Sequence, residues 1–206
     1  MNTELCLIMA EEGSDKSPIK NKWHNYTIKY HSLFNLQKND IKSVFELGLG
    51  TNFADVPSSM GPNGIPGASH RGWARYFENA NIYGADIDKR ILFEEKRIKT
   101  YFVDQTNVET IKELWKNKDL NIQFDIMIDD GLHELNANIT FLINSFHKLK
   151  NNGVYVIEDI THSEITKYKN KLDNLQNDLN FTYEIEILSY DNNNYDNCLA
   201  ILKKDN

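Results

Sequence analysis

Hydrophobic positions along this chain follow two periods. From residue 43 onward, short apolar runs of strand length alternate with longer stretches in which apolar side chains recur every three or four residues. The runs are SVFEL (43–47), NIYGAD (81–86), TYFVD (100–104), FDIMID (124–129) and GVYVIED (153–159). Between them, ASHRGWARYFENA places Trp73, Tyr76 and Phe77 on one helical face. TNVETIKELW opens with Thr106 and Glu109 at capping-box spacing and turns Val108, Ile111 and Leu114 inward. Leu135, Ile139, Leu142, Phe146 and Leu149 step by four and three, the mark of an amphipathic helix over residues 134–150 that the following NNG is expected to stop.

Strand and helix in alternation predict an α/β fold with a doubly wound, mostly parallel seven-stranded sheet. The tail changes character. FTYEIEILSY (181–190) and NCLAILKK (197–204) flank DNNNYD and predict an antiparallel C-terminal hairpin. Trp23, Tyr26, Tyr30 and Leu33 share a helical face, so residues 1–40 read as an N-terminal helical cap on a domain of residues 41–206.

Composition narrows the partners. A chain of 206 residues fits one domain with a substantial core, and a net charge of −7 makes nucleic acid a poor default partner. No apolar run approaches the roughly 20 residues that span a bilayer. The apolar patch at residues 5–10 has no basic residue before it and acids after it, unlike a signal peptide. Cys6 and Cys198 form no CxxC pair, so neither a disulfide framework nor a zinc site is expected, and a reducing cytoplasm is.

The chemistry gathers at the carboxyl ends of the predicted strands. Glu46, Asp86, Asp104, Asp129, Asp130, Glu158 and Asp159 all fall there. In an open α/β sheet the ligand crevice lies outside those ends. Like charges so crowded raise one another's pKa unless a cation arrives, so the pattern predicts a metal ion, an organic cation or both. ELGLGTNF follows the first strand, and its Gly48 and Gly50 let the backbone approach a ligand closely, although Phe53 stands where GxGxxG has its third glycine. Asp86 ends the second strand, where an acid holds ribose hydroxyls in nicotinamide and S-adenosylmethionine enzymes alike. Asp130 and Asp159, on neighbouring strands, offer hard oxygen ligands for Mg²⁺ or a similar divalent ion. His133 opens the next helix, placed to take a proton from a hydroxyl held beside that ion.

In this order the motifs resemble those of the metal-dependent, S-adenosylmethionine-dependent O-methyltransferases of the macrocin and mycinamicin type, which act on sugar hydroxyls. GSDK…HNYTIKYHSLF (13–34) is similar to that family's N-terminal GTDK–His–Tyr segment. FELGLG, PGASHRGW, YGADID, VDQTN, IDDGLH and VIEDI then follow over roughly residues 13–165, with Leu132 where the family usually has serine. The resemblance implies the Rossmann-like class I methyltransferase fold, Asp130 and Asp159 as metal ligands, and His133 as general base beside Asp130. It implies Asp86 on the cofactor ribose, Asp104 and Gln105 near the adenine, and Glu46 at the methionine end or the metal. Asp129, Gly48 and Gly50 complete the expected S-adenosylmethionine site. Residues 52–66 read as a lid or substrate wall, and His24, Tyr26, His70 and Arg71 as further lining. The expected acceptor is a sugar, nucleotide-linked or on a cell-surface glycan. A homo-oligomer is open, since the cap and the terminal hairpin offer contact surfaces.

Two other readings stand beside this one. A nicotinamide oxidoreductase would use the GxG and Asp86 but leaves Asp130, Asp159 and His133 without work. A non-catalytic assembly partner with a methyltransferase-like fold has no need of a full set of strand-end acids.

Overall fold

Five parallel strands at the centre of the sheet require cover on both faces, and helices supply it. The computed structural model describes residues 1–20 and 23–206. Helices α1 (Glu4–Glu12) and α2 (Tyr26–Phe34) precede β1 (Ser43–Leu47), α3 (Ala68–Tyr76) and β2 (Asn81–Asp86). Then come β3 (Glu94–Glu95), β4 (Ile98–Phe102), α4 (Val108–Trp115), β5 (Phe124–Asp129) and α5 (Leu135–Ser145). The chain ends with β6 (Leu149–Ile157), α6 (Ile165–Leu179), β7 (Phe181–Ile187) and β8 (Cys198–Lys204).

The strands order as β3-β4-β2-β1-β5-β6-β8-β7. The central pairs are parallel, and β3, β7 and β8 run antiparallel to their neighbours. The chain winds from β1 outward through β2 and β4, then crosses back to lay β5 on the other side of β1. That reversal opens a crevice above the carboxyl ends of β1 and β5, where α/β sheets bind ligands.

Alternation along each strand decides which face a residue serves. Phe45, Met127 and Tyr155 enter a core with Trp115, Phe124, Phe141 and Leu142 beneath α4, α5 and α6. Val44, Ile126, Ile128 and Val156 face the opposite way, into a core with Leu5, Met9, Tyr30, Trp73 and Phe77 from α1, α2 and α3. By the same period, Glu46 and Glu158 point to the α1–α3 face.

The first, second and fourth predicted runs coincide with β1, β2 and β5. Elsewhere local geometry shifts the boundaries. The sheet has eight strands rather than seven, because Glu94–Glu95 adds a two-residue edge. The third run starts at Ile98 and ends at Phe102. Asn107, not Thr106, caps α4, accepting from the Glu109 amide at 3.0 Å, while the Thr106 hydroxyl turns to Asp104. The helix over 134–150 stops at Ser145 and tightens into a 3₁₀ turn over Phe146–Lys148. Leu149 already belongs to β6, and the NNG lies inside that strand, where Asn152 at φ 60° accompanies a register shift between Phe124 and Ile126. A leucine at helical spacing also satisfies the inward position of a strand, so periodicity alone does not separate the two. Trp23 lies ahead of α2 and is 48% exposed, off the buried face of Tyr26 and Tyr30.

Phe45 packs against Trp115, Phe124 and Phe141 with ring centroids 5.0–6.1 Å apart. Phe45→Ala is expected to cost about 3–5 kcal/mol, as for other buried aromatic truncations. A denaturant midpoint equal to the unsubstituted chain's would contradict this account of the core.

Candidate active site

The β1–α3 connection begins with a close crossing. Gly48 has φ 93°, and a Cβ there would lie 1.8 Å from the Asp130 carbonyl oxygen, so any side chain would push β1 and β5 apart at their tips. The Asp130 amide donates to the Leu47 carbonyl at 2.9 Å and the Gly48 amide to that of Ala85 at 2.8 Å, knitting three strand ends together. The loop over residues 52–66 then folds over the tips. It is tied back where the Met60 amide donates to the Thr51 carbonyl and the Gly67 amide to the Leu49 carbonyl, at 2.8 and 2.7 Å. Between loop and sheet lies a cleft of about 330 Å³. Val56, Pro57, Met60 and Ile65 make the loop its apolar wall.

Of the expected site residues, Gly48, Gly50, Asp86, Asp104, Gln105, Asp130, His133 and Asp159 line this cleft. Asp86 is fixed by the Leu49 and Asp88 amides at 2.7 and 2.8 Å, and burial pushes its carboxyl up. Asp104 accepts from the Thr106 amide and hydroxyl at 2.9 and 2.7 Å. The Gln105 amide is committed. Its Nε2 donates to both oxygens of Asp129 at 2.7 and 2.9 Å, and its Oε1 accepts from the Leu132 amide at 2.8 Å. Gln105 thus braces the Asp-Asp-Gly turn from β4, and Asp129 lies fully buried beneath the cleft rather than on its wall. Burial pushes the Asp129 carboxyl up to about 6.

Glu46 is off the wall as well. It is fully buried on the α3 side, accepting from the Ser69 hydroxyl at 2.9 Å and the Trp73 indole at 2.6 Å. His70 is buried beside it, and Arg71 turns outward to Glu95 and the Pro66 carbonyl.

The opposite wall carries the acids. Asp130, His133 and Asp159 each offer a ligand atom within 4.8 Å of the others. His133 Nε2 lies 3.2 Å from Asp130 Oδ1 and 3.3 Å from Asp159 Oδ2. His133 and Asp159 adopt φ of 61° and 56°, backbone conformations costly for such residues and concentrated at functional sites. Burial works against the imidazolium, but Asp159 and Asp130 outweigh it and push His133 up to about 10.

A buried lysine that the strand-end reading did not single out organises this wall. Lys16, 2% exposed, reaches Asp130 Oδ2 at 2.5 Å, Glu46 Oε1 at 3.2 Å and Glu158 Oε2. Burial opposes its charge, yet those three carboxylates keep it protonated and raise it well above the usual lysine range. Its sequence signal was its place in the GSDK segment. Glu158 also accepts from the Tyr30 hydroxyl. Asp159 Oδ1 accepts from the Tyr26 hydroxyl at 2.7 Å and lies 3.4 Å from His24 Nε2, so His24 and Tyr26 do stand at the site. Four carboxylates therefore share one ammonium, with the His133 imidazole between Asp130 and Asp159 and the rings of His24 and His70 beside Asp159 and Glu46. The surplus of hard oxygen donors fits a divalent cation at Asp130 and Asp159.

If Gln105 braces the turn, Gln105→Leu removes its two hydrogen bonds to the buried Asp129 carboxylate, which keeps the Tyr155 hydroxyl at 3.5 Å, and takes the side-chain acceptor from the Leu132 amide. A loss of about 1–3 kcal/mol in denaturant unfolding is expected, and an unchanged midpoint would refute the bracing role.

No protein-family model matches the chain. It is 32% identical over 159 residues to the 8-demethyl-8-alpha-L-rhamnosyl tetracenomycin-C 2'-O-methyltransferase of Streptomyces olivaceus, a match covering 77% of this chain and 38% of that one. It is 34% identical over 146 residues to the demethylmacrocin O-methyltransferase of Streptomyces fradiae, covering 68% and 33%. The chain thus spans little more than a third of these relatives' length. Among solved structures, the MycE methyltransferase from the mycinamycin biosynthetic pathway, in complex with Mg and SAH, superposes with a TM-score of 0.72 at 22% identity. All of this chain and 56% of that one are covered. The chain is a homologue of the macrocin- and mycinamicin-type sugar O-methyltransferases, built on the Rossmann-like class I methyltransferase fold.

Proposed function

We propose that this protein is an S-adenosylmethionine-dependent O-methyltransferase that uses a divalent ion such as Mg²⁺ to methylate a sugar hydroxyl. One juxtaposition carries the reading. A single cleft is lined by a glycine turn, Asp86 and the cluster of Asp130, His133 and Asp159. Support comes also from relatives that are sugar O-methyltransferases. The cleft volume of about 330 Å³ is within the range of small-molecule sites.

In this reading Gly48 and Gly50 keep the backbone low where the donor lies, and Asp86 accepts from its ribose hydroxyls. Asp104 stands at the adenine end, and Asp129 acts through Gln105 by fixing the turn that carries Asp130. Glu46 serves the site from beneath, as a partner of Lys16. The acid-rich wall favours a sulfonium over a neutral thioether, so it holds the donor more firmly than the product. Methyl transfer is an in-line displacement: the acceptor oxygen lies opposite sulfur, a C–O bond forms as the C–S bond breaks, and S-adenosylhomocysteine leaves. The hydroxyl proton passes to His133 Nε2. Bound by Asp130 and Asp159, a divalent ion supplies Lewis-acid polarisation of the hydroxyl and cancels the charge that keeps His133 protonated. The apolar loop wall excludes water from the reacting centre.

The acceptor is read as a nucleotide-linked or glycan sugar, and the protein as cytoplasmic. Among the described residues no helix is long and apolar enough to cross a membrane. A nicotinamide oxidoreductase remains the weaker reading, since it gives the Asp130–His133–Asp159 cluster no role.

His133→Ala should bind S-adenosylmethionine with near-normal affinity by calorimetry yet lose about 10²–10⁴-fold in turnover; full turnover removes His133 from the mechanism. EDTA should abolish release of S-adenosylhomocysteine from a panel of nucleotide sugars and glycosides, and Mg²⁺ should restore it. Activity indifferent to chelation would rule out the metal.

A further inference from the structure

The apolar loop wall of the cleft has an outer side, and one side chain grips it. Val56, Pro57, Met60 and Ile65 face the cleft. Phe53 and Asp55, in the same loop, meet Arg90 from the 3₁₀ turn (Lys89–Ile91) that follows β2. The Arg90 guanidinium lies 3.9 Å from the Phe53 ring centroid. Its Nη1 and Nη2 donate to Asp55 Oδ2 and Oδ1 at 3.2 and 3.0 Å. Its Nε and Nη2 donate to Asp88 Oδ1 and Oδ2 at 2.7 and 2.9 Å. One planar group thus forks onto two carboxylates and stacks on a ring, which a lysine ammonium cannot do.

Asp88 carries the grip inward. It is 5% exposed. Its Oδ2 accepts from the Thr51 hydroxyl at 2.6 Å, and its amide donates to Asp86 Oδ1 at 2.8 Å. Thr51 is where the loop leaves the glycine turn, and its carbonyl accepts from the Met60 amide at 2.8 Å. Arg90 therefore joins the loop to the turn that also holds the proposed ribose acid. Across the cleft, Ser58 Oγ donates to the Leu132 carbonyl at 3.1 Å. The Arg90 grip is open to water, with Arg90, Asp55 and Phe53 all exposed. Exposed ion pairs and cation–π contacts are weak, and salt screens the pairs. Such a hold closes the loop without locking it, and release of a bound molecule waits on its letting go.

We propose that Arg90 is a positioning residue for the methyl donor: stacked on Phe53 and forked between Asp55 and Asp88, it clamps the 52–66 loop over the cleft and sets how fast the nucleoside product leaves. The inference rests on the donor site proposed above. Arg90 does not line the cleft; it acts through the loop.

The test uses the full chain and labelled S-adenosylhomocysteine, whose release is timed after a chase of unlabelled compound. This product has no sulfonium, which keeps the acid wall's own salt response small. For the unsubstituted protein, release should quicken between about 0.1 M and about 1 M salt, as the screening length falls from about 10 to about 3 Å. Asp55→Ala should quicken release about threefold at low salt, the size of an exposed ion pair. Arg90→Gln should quicken it about tenfold, since the ring contact goes too. Salt should then change either variant little, and the double variant should release no faster than Arg90→Gln. Chymotrypsin gives a second readout without any ligand. Cleavage after Phe53 should rise by the same factors, because it reports the open loop. Asp55 is exposed, so Asp55→Ala decides alone if Arg90→Gln loses its fold. Release and cleavage unchanged in Asp55→Ala overturn the inference and leave the donor site standing. Additive effects in the double variant overturn it too. No binding of S-adenosylhomocysteine by the unsubstituted protein sinks the donor site and this inference with it.

Discussion

A single ammonium group holds three strand ends together. Lys16 meets Glu46 from β1, Asp130 after β5 and Glu158 after β6 in a setting where it is almost wholly buried. Without it, mutually repelling carboxylates would sit in low dielectric, where an unpaired charge is costly. Removing one partner from a buried pair typically costs about 3–5 kcal/mol, so the acid wall and the N-terminal segment stand or fall together. Replacing both partners by apolar groups is often harmless to stability, which points to a task for these charges beyond holding the fold.

That task is visible in how the site divides its carboxylates. Glu46, Asp129 and Glu158 have their oxygens spent on Trp73, Ser69, Gln105, Tyr30 and Lys16. They are structure. Asp130 and Asp159 keep one oxygen each towards the cleft, with His133 between them. Like residues in one row thus take different roles according to which face of the sheet each meets and which donors wait there.

Much of this was legible in the sequence, for local reasons. β1, β2 and β5 are short apolar runs bounded by turn residues, and Asp86 at the end of β2 and Asp130 just after β5 fall at the crevice by topology alone. Asp130 and His133 lie three residues apart, within reach of a motif. What was not legible is long-range or degenerate. Lys16 lies 114 residues from Asp130, and beyond its place in the GSDK segment nothing local marks it as a lysine that will be buried. Gln105 lines the cleft, and the pairing of its amide with Asp129 across the sheet is set by strand order, which no local pattern shows. Leu149 fitted a helix and a strand equally, and the sheet decided.

The central claim is that the acid wall holds a divalent ion beside the methyl donor. Crystals grown with S-adenosylhomocysteine and soaked in Mn²⁺ test it most directly through anomalous scattering. The account predicts a peak in bonding contact with Asp130 Oδ1 and Asp159 Oδ2, with the His133 imidazole displaced from its bridging position. A map without that peak, with His133 still spanning the two carboxylates, would contradict it.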